Sequence, residues 1–353
     1  MNLNQKIKER SKMTLNYCKN HSTFIIAEIG SNHNESLEQA KMLIRASKDA
    51  GANAVKFQSF TPNELINAKI LGGSKRWIKN PVWDKLEKSK LPLAWHRKLK
   101  EFCGELGITF LSTPFDTERA SLLNEIGVDA FKIASGDLTF YPLIKHIAKF
   151  NKPIILSTGM AYLDEVKRAV NLIKNEGNEK IILLHCVSNY PAKLEDANIR
   201  AMVTLRDTFN LPVGYSDHSP GYIVPLGAVA LGACVIEKHI TFDRSLKGPD
   251  HPFALEVEEF SEMAKKIREL EKALGDDEKR PVTGEIPERK LARRGLYAKF
   301  DISKGTILRK DMIKMVRPAY EDDFKDPQEL LNRKAKMNIE KDEPITLEKI
   351  CEC

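Results

Sequence analysis

Eight short apolar runs recur between residues 22 and 241: "TFIIAEIGSN", "NAVKFQSF", "ITFLSTPFD", "AFKIASGD", "PIILSTGM", "KIILLHCVSNY", "LPVGYSDHS" and "ACVIEKHIT". Segments with helical spacing separate them, such as "SLEQAKMLIRASKDAGA" and "YLDEVKRAVNLIKNEG", the latter apolar at positions 163, 166, 170 and 173. Strands alternating with helical patterns predict βαβ units and a parallel sheet. Eight such units in roughly 250 residues match the size and count of a (β/α)8 TIM barrel. A doubly wound open sheet is the alternative, but it usually carries a Gly-rich turn after its first strand, and "EIGSNHN" is not that turn.

The predicted strands share a second feature. Each begins apolar and ends polar, at Glu28, Lys56 and Gln58, Thr113, Lys132 and Ser135, Ser157, Ser188 and Tyr190, Ser216 and His218, and Glu237 and His239. Barrel enzymes build their sites at the C-terminal ends of the strands. One polar ending is an ordinary turn; eight, with Lys, His and Glu among them, predict a site.

The pattern changes near residue 275. "LGDDEKRPVTGEIPERK" is charged and carries Pro and Gly. Four parts are therefore expected: a basic leader over 1–21, a barrel over 22–275, a linker over 276–290, and a small β-rich domain over 291–353, near the lower limit for independent folding. No solenoid-like repeat or low-complexity tract occurs.

Composition narrows the function classes. With 42% hydrophobic and 30% charged residues, the chain can bury a core and is not globally disordered. The net charge of +7 suits a small anionic substrate. Lys and Glu are interleaved throughout, so nucleic acid is not an expected partner. The leader has no apolar stretch of signal-peptide type, and "SPGYIVPLGAVALGACVI" is broken by Pro and Gly, so no membrane span is expected and a cytoplasmic location is. None of the six cysteines forms a CxxC pair, which reads as free thiols in a reducing compartment.

The candidate chemistry lies in the strand ends. His218 and His239 close the last two predicted strands, whose parallel neighbours hold such ends about 5 Å apart. Two imidazoles there can share one Mn²⁺, Fe²⁺, Co²⁺ or Zn²⁺, with Asp217 and Glu237 as supporting partners; two histidines hydrogen-bonded in loops are the plainer reading. Lys56 and Lys132 each interrupt an apolar strand. Two ammonium groups in one pocket attract a phosphate or carboxylate between them, with Ser135, Ser157 and Ser216 adding hydroxyls; structural ion pairs to Glu28 and Glu237 are the competing reading. "GPDHP", with Asp250 and His251, reads on its own as a solvated turn, and the Arg293–Arg294 pair as a solvated pair.

Taken in order, "IAEIGSNHN", "VKFQ", "LSTPFD", "KIASGD", "LSTGM", "GYSDH", "EKHIT" and "GPDHPFALE" resemble the sialic acid (N-acetylneuraminate) synthase family, and "RRGLYAKFDISKGTILRKDM" resembles its C-terminal antifreeze-like (SAF) domain. The resemblance implies condensation of phosphoenolpyruvate with an open-chain N-acetylated hexose, N-acetylmannosamine first, to give a nine-carbon nonulosonic acid and phosphate. It implies a divalent ion, Mn²⁺ with Mg²⁺ or Co²⁺ as alternatives, on His218 and His239. Lys56, Thr113, Lys132, Ser135 and Ser216 fall where the family holds phosphoenolpyruvate. Glu28, Gln58, Tyr190 and Asp250 fall around the sugar and the reacting carbons, with Glu28, Lys56, Lys132, Tyr190 and Asp250 as the catalytic set. Arg294 falls where an arginine reaches the partner barrel of a domain-swapped homodimer.

Two positions depart from the family's pattern. Asp137 stands in "SGD" where members often read "SGE", and Ser188 in "CVSNYP" where they often carry Asn. The first bears on the sugar, the second on a phosphate contact. Synthases for legionaminic or pseudaminic acid or for spore-coat polysaccharide are alternatives within this class. A non-catalytic carbohydrate-binding protein is an alternative outside it.

Overall fold

The computed structural model describes residues 22–73, 76–319, 324 and 326–351; the leader expected over 1–21 lies outside them. The chain divides into two compact units, one ending at Gly275 and the other beginning at Asp276.

In the first unit, eight parallel strands form a barrel: β1 (Phe24–Gly30), β2 (Ala54–Ser59), β5 (Thr109–Pro114), β6 (Phe131–Ile133), β7 (Ile154–Ser157), β8 (Ile181–Cys186), β9 (Val213–Asp217) and β10 (Val235–Thr241). They pair in the order β5-β2-β1-β10-β9-β8-β7-β6, and β5 packs against β6 to bring the two edges together. A short strand, β11 (Leu255–Glu256), adds to β10 in parallel. All eight apolar runs of the sequence are strands of this barrel. The sequence pattern did not reveal the antiparallel hairpin of β3 (Lys69–Leu71) and β4 (Trp77–Lys79) between β2 and β5.

Helices link the strands and cover their outer faces. Two of them start on side-chain caps that satisfy otherwise unpaired backbone N–H groups. Ser36 accepts from the Gln39 N–H at 3.2 Å to begin helix Leu37–Asp49. Asp116 accepts from the Arg119 N–H at 2.7 Å to begin helix Thr117–Glu125. Helix Leu163–Asn175 buries Val166, Ala169, Val170 and Ile173, while Leu163, expected on that face, is exposed.

The barrel interior explains where the site lies. Side chains alternate between the two faces of a strand. Ile26, Ala54, Leu111, Ala130, Ile155, Leu184 and Val235 fill the interior as one apolar cluster. Two residues further along each strand, on the same face, come Glu28, Lys56, Thr113, Lys132, Ser157, Cys186 and Glu237. The apolar layer plugs the barrel and the next layer is polar. Gly214 belongs to the plug because nothing larger fits: a Cβ there would lie 2.2 Å from the Val235 carbonyl oxygen.

The same alternation resolves the charged run at the end of β10. Glu237 and His239 face the interior, whereas Lys238 faces the helices. Lys238 is fully buried and paired with Asp217 at 2.5 Å. Asp217 also accepts from the Ser219 N–H at 3.0 Å and the Ser219 hydroxyl at 2.8 Å. The middle charge of the run ties β10 to β9 behind the site.

The second unit contains helix Glu285–Ala292 and an antiparallel pair, β12 (Gly295–Ala298) and β13 (Ile313–Val316). It has a core of its own, including Leu296, Leu308, Leu330, Ile339 and Ile345. The helix begins within the stretch expected to be a linker. Cys103, Cys186 and Cys351 are free. Cys234 corrects the expectation of free thiols: it is disulfide-bonded. Among the described residues no helix is long and apolar enough to cross a membrane.

Candidate active site

Above the apolar plug, the C-terminal strand ends enclose a cavity of about 730 Å³. Its wall contains Glu28, Lys56, Gln58, Thr113, Lys132 and Ser135. It also contains Asp137, Ser157, Ser188, Tyr190, Ser216 and His218, and is completed by His239 and Asp250. Every barrel residue assigned from the sequence to the substrates, the reaction or the metal is therefore in one place. Asp217, expected to support the histidines, is instead turned away to Lys238, and His251 is not among the lining residues. Arg294 belongs to the second unit, where it is exposed and donates to the Met315 carbonyl at 3.1 Å.

The floor is a compact set of buried charges. Lys56 pairs with Glu28 at 2.7 Å and with Glu237 at 3.7 Å, and Lys132 pairs with Glu237 at 3.7 Å. Lys56 donates to the Thr113 hydroxyl at 3.2 Å and Lys132 to the Ser157 hydroxyl at 2.7 Å. Ser216 donates to Glu237 at 2.9 Å, and Gln58 to Glu28 at 2.8 Å. Strand register produces this arrangement, since Glu28 sits abreast of both Lys56 and His239, and Glu237 abreast of Ser216. The lysines are ion-paired, as the competing reading expected, and they also line the cavity.

The electrostatics separate the two carboxyls. Burial pushes the Glu28 carboxyl up to about 7; Lys56 opposes this and Glu237 adds to it. Burial also raises Glu237, but Lys132 and Lys56 outweigh it and hold that carboxyl at about 2. Burial lowers the Lys132 ammonium, with Glu237 opposing. Burial acts the same way on Lys56, but Glu237 and Glu28 reverse it and leave that ammonium above its ordinary value.

The two imidazoles face one another with ring centres 5.5 Å apart. Burial drives both down to about 4, so both are neutral near pH 7. His218 Nδ1 lies 3.0 Å from the Val187 carbonyl; donation there leaves Nε2 as the free donor atom. His239 Nδ1 is buried without a hydrogen-bond partner among the described residues. With ligand nitrogens about 2 Å from an ion, rings this close can share one. No group of three or more His, Cys, Asp or Glu among the described residues is arranged to hold an ion by itself. The donor set fits a divalent ion bound by two nitrogens, its other positions open to water or substrate.

Further buried polar atoms await partners. Asp137 Oδ2, Ser188 Oγ and Glu237 Oε2 have none among the described residues. Such atoms cost free energy unless something bonds them. Ser135 Oγ accepts from the Gly159 N–H at 2.9 Å, and a Cβ at Gly159 would lie 2.5 Å from Ser188 Oγ, so glycine there leaves both serines room. On the opposite wall, Asp250 Oδ2 accepts from the Ser31 N–H at 2.9 Å and the Ser31 hydroxyl at 2.8 Å.

Asp137 gives a stability prediction. Burial raises its carboxyl to about 6, with Lys132 opposing. The folded protein therefore holds this proton more tightly than the unfolded chain, where the ordinary value is 3.8. No penalty exists below about pH 3.8; it grows as pH rises and is complete above about pH 7. Asp137→Asn should stabilise the ligand-free protein by up to about 3 kcal/mol at pH 8, and by progressively less toward pH 4. Thermal unfolding at several pH values checks this; an advantage that grows on acidification contradicts it.

Glu237, read from the sequence as a supporting partner for the histidines or as an ion-pair partner for the lysines, is the carboxylate shared by both lysines. Its position two residues before His239 was the signal: period two places both on the interior face. Phe253, which packs against His239 with ring centres 4.8 Å apart, carried no comparable signal.

The profile of the NeuB family matches residues 43–279, and that of the SAF domain matches residues 293–350. An uncharacterised protein of Methanocaldococcus jannaschii is 44% identical over 93% of this chain and 94% of its own length. The N,N'-diacetyllegionaminic acid synthase of Campylobacter jejuni is 43% identical over 92% of this chain and 98% of its own. The crystal structure of the N-acetylneuraminic acid synthetase of Leptospira borgpetersenii in complex with citrate superposes with a TM-score of 0.69 at 37% identity, over 76% of this chain and 90% of that one.

Proposed function

The chain belongs to the NeuB family of synthases, and from that premise we propose that it condenses phosphoenolpyruvate with an open-chain N-acetylated hexose and water, releasing phosphate and a nine-carbon nonulosonic acid. The observation that carries this reading is the floor of the cavity: two buried ammonium groups 3.7 Å from one shared carboxylate, with Thr113, Ser157 and Ser216 beside them. That arrangement offers a small, highly charged anion both counter-charge and hydroxyl donors in a site shielded from water.

The roles follow from the chemistry of each group. Lys56 and Lys132 bind the donor's anionic groups, and Thr113, Ser135, Ser157, Ser188 and Ser216 orient them. The enol carbon C3 of the donor bonds to the aldehyde carbon of the sugar. Positive charge then develops at C2, water adds there, and phosphate leaves with its bridging oxygen by C–O cleavage. Glu28 and Gln58 face the developing charge and orient the water, while Tyr190 and Asp250 hold the sugar. His218 and His239 would hold a divalent ion, Mn²⁺ in the first instance, which supplies Lewis-acid polarisation of the sugar carbonyl when bound. Arg294, which has no role in its own unit's core, would serve the partner's site in a homodimer.

Asp137 bears on the acceptor. Its unpaired oxygen calls for a donor from the sugar, which a hydroxyl supplies in N-acetylmannosamine and an acetamido N–H in a diacetamido sugar of the legionaminic type. The Campylobacter relative gives the second acceptor weight. Phosphate release from phosphoenolpyruvate, measured with each sugar in turn, tests the reading. Release that depends on one of these acceptors is expected; equal release with and without sugar contradicts it.

A further inference from the structure

His251 lies in the Gly-Pro turn that reads from the sequence as solvated, yet it is fully buried. Its Nδ1 is 2.7 Å from the Thr241 hydroxyl at the end of β10, and its Nε2 is 3.1 Å from Asn34 Oδ1 in the loop after β1. With the Asn34 oxygen as acceptor, Nε2 carries the proton and Nδ1 accepts from Thr241. The ring thus bolts its own loop to two others. Gly248 is turned against it so closely that a Cβ would lie 2.6 Å from His251 Cδ2.

The residue next to this bolt is Asp250. Its carboxylate is set between the cavity and the β1 loop, bonded to Ser31. Gly30 lies against it with φ +52°, where a Cβ would be 2.5 Å from Asp250 Oδ2. The same β1 loop is tied to the end of β10 a second time, by Asn32 Nδ2 donating to the Ile240 carbonyl at 2.9 Å. Asp250 therefore stands on a short loop with one fully buried polar anchor immediately following it. We infer that His251 is a positioning residue that fixes the Asp250 carboxylate toward the acceptor sugar, without itself touching substrate.

This inference rests on the assignment of Asp250 to the acceptor. The test uses full-length protein assayed by phosphate release with Mn²⁺ present. His251→Ala should raise the acceptor KM by about 10- to 100-fold, the scale of a misplaced binding group, and leave the phosphoenolpyruvate KM within about 2-fold of wild type by the same argument. Thr241→Val removes one of the ring's two bonds and should raise the acceptor KM by about 5-fold; it carries the test if His251→Ala does not fold, as judged by circular dichroism. On an Asp250→Ala background, His251→Ala should add nothing further to the acceptor KM, because it acts through the group already removed. A further rise on that background overturns the inference, as does a folded His251→Ala protein with an unchanged acceptor KM. An unchanged acceptor KM in Asp250→Ala alone overturns the assignment of Asp250, and the inference with it.

Discussion

Protein freed of divalent ions by a chelator should release no phosphate from phosphoenolpyruvate, and Mn²⁺ should restore release. Burial keeps His218 and His239 neutral, the form in which imidazole binds a metal. The Val187 carbonyl occupies one nitrogen of His218, which selects the other, and His239 Nδ1 has no competing partner among the described residues. With only two protein nitrogens the ion would be readily lost to a chelator, so the loss should be complete and reversible. Polarising a carbonyl with an ion is worth several kcal/mol, so the rate should fall by at least about two orders of magnitude. His239→Ala should reproduce the loss without a chelator. Undiminished release in excess chelator contradicts this expectation.

Replacing Lys132 should have the second largest effect. Lys132→Ala removes one of the two ammonium groups from the floor. A charge-assisted hydrogen bond contributes about 1.5–3 kcal/mol, so the phosphoenolpyruvate KM should rise by about 10- to 150-fold. The acceptor KM should move much less, because Lys132 donates to Ser157 and pairs with Glu237 and reaches the acceptor only through its charge on Asp137. The substitution also removes the largest attraction holding the Glu237 carboxyl down. Breaking a buried pair costs about 3–5 kcal/mol when one charge is left alone; Glu237 keeps Lys56, so the loss of stability should be smaller. Steady-state kinetics with each substrate varied in turn checks the assignment. A rise in the acceptor KM with an unchanged phosphoenolpyruvate KM would show that the two halves of the cavity have been exchanged.

The barrel was legible because burial acts on it with period two. Six of the eight interior strand faces carry an apolar residue followed two positions later by a polar one, as in Ile26 and Glu28, Ala54 and Lys56, or Val235 and Glu237; β8 has Leu184 and Cys186 there, and β9 has Gly214 and Ser216. Repetition of that step makes both the fold and the position of the cavity readable. Residues whose roles depend on contacts distant in sequence were not readable. His251 looks like a turn residue because its partners, Thr241 and Asn34, come from the end of β10 and from the loop after β1. Lys238, between Glu237 and His239, is turned by alternation to the helix side, where Asp217 neutralises it. The β3–β4 hairpin escaped notice because its strands are three residues each and exposed, so burial imposes no alternation on them. Glu237 was readable as an interior residue from its spacing to His239 and as one possible partner of the lysines, but its bridging of both Lys56 and Lys132 depends on the register of three strands.

The most direct measurement is the mass spectrum of the products formed in ¹⁸O-labelled water from phosphoenolpyruvate and whichever acceptor supports phosphate release. Attack by the enol carbon, followed by addition of water at C2 and C–O cleavage, predicts a nine-carbon acid together with phosphate that carries no label. Pyruvate with labelled phosphate and no new carbon–carbon bond would mean that the cavity only hydrolyses its donor, and would contradict the account.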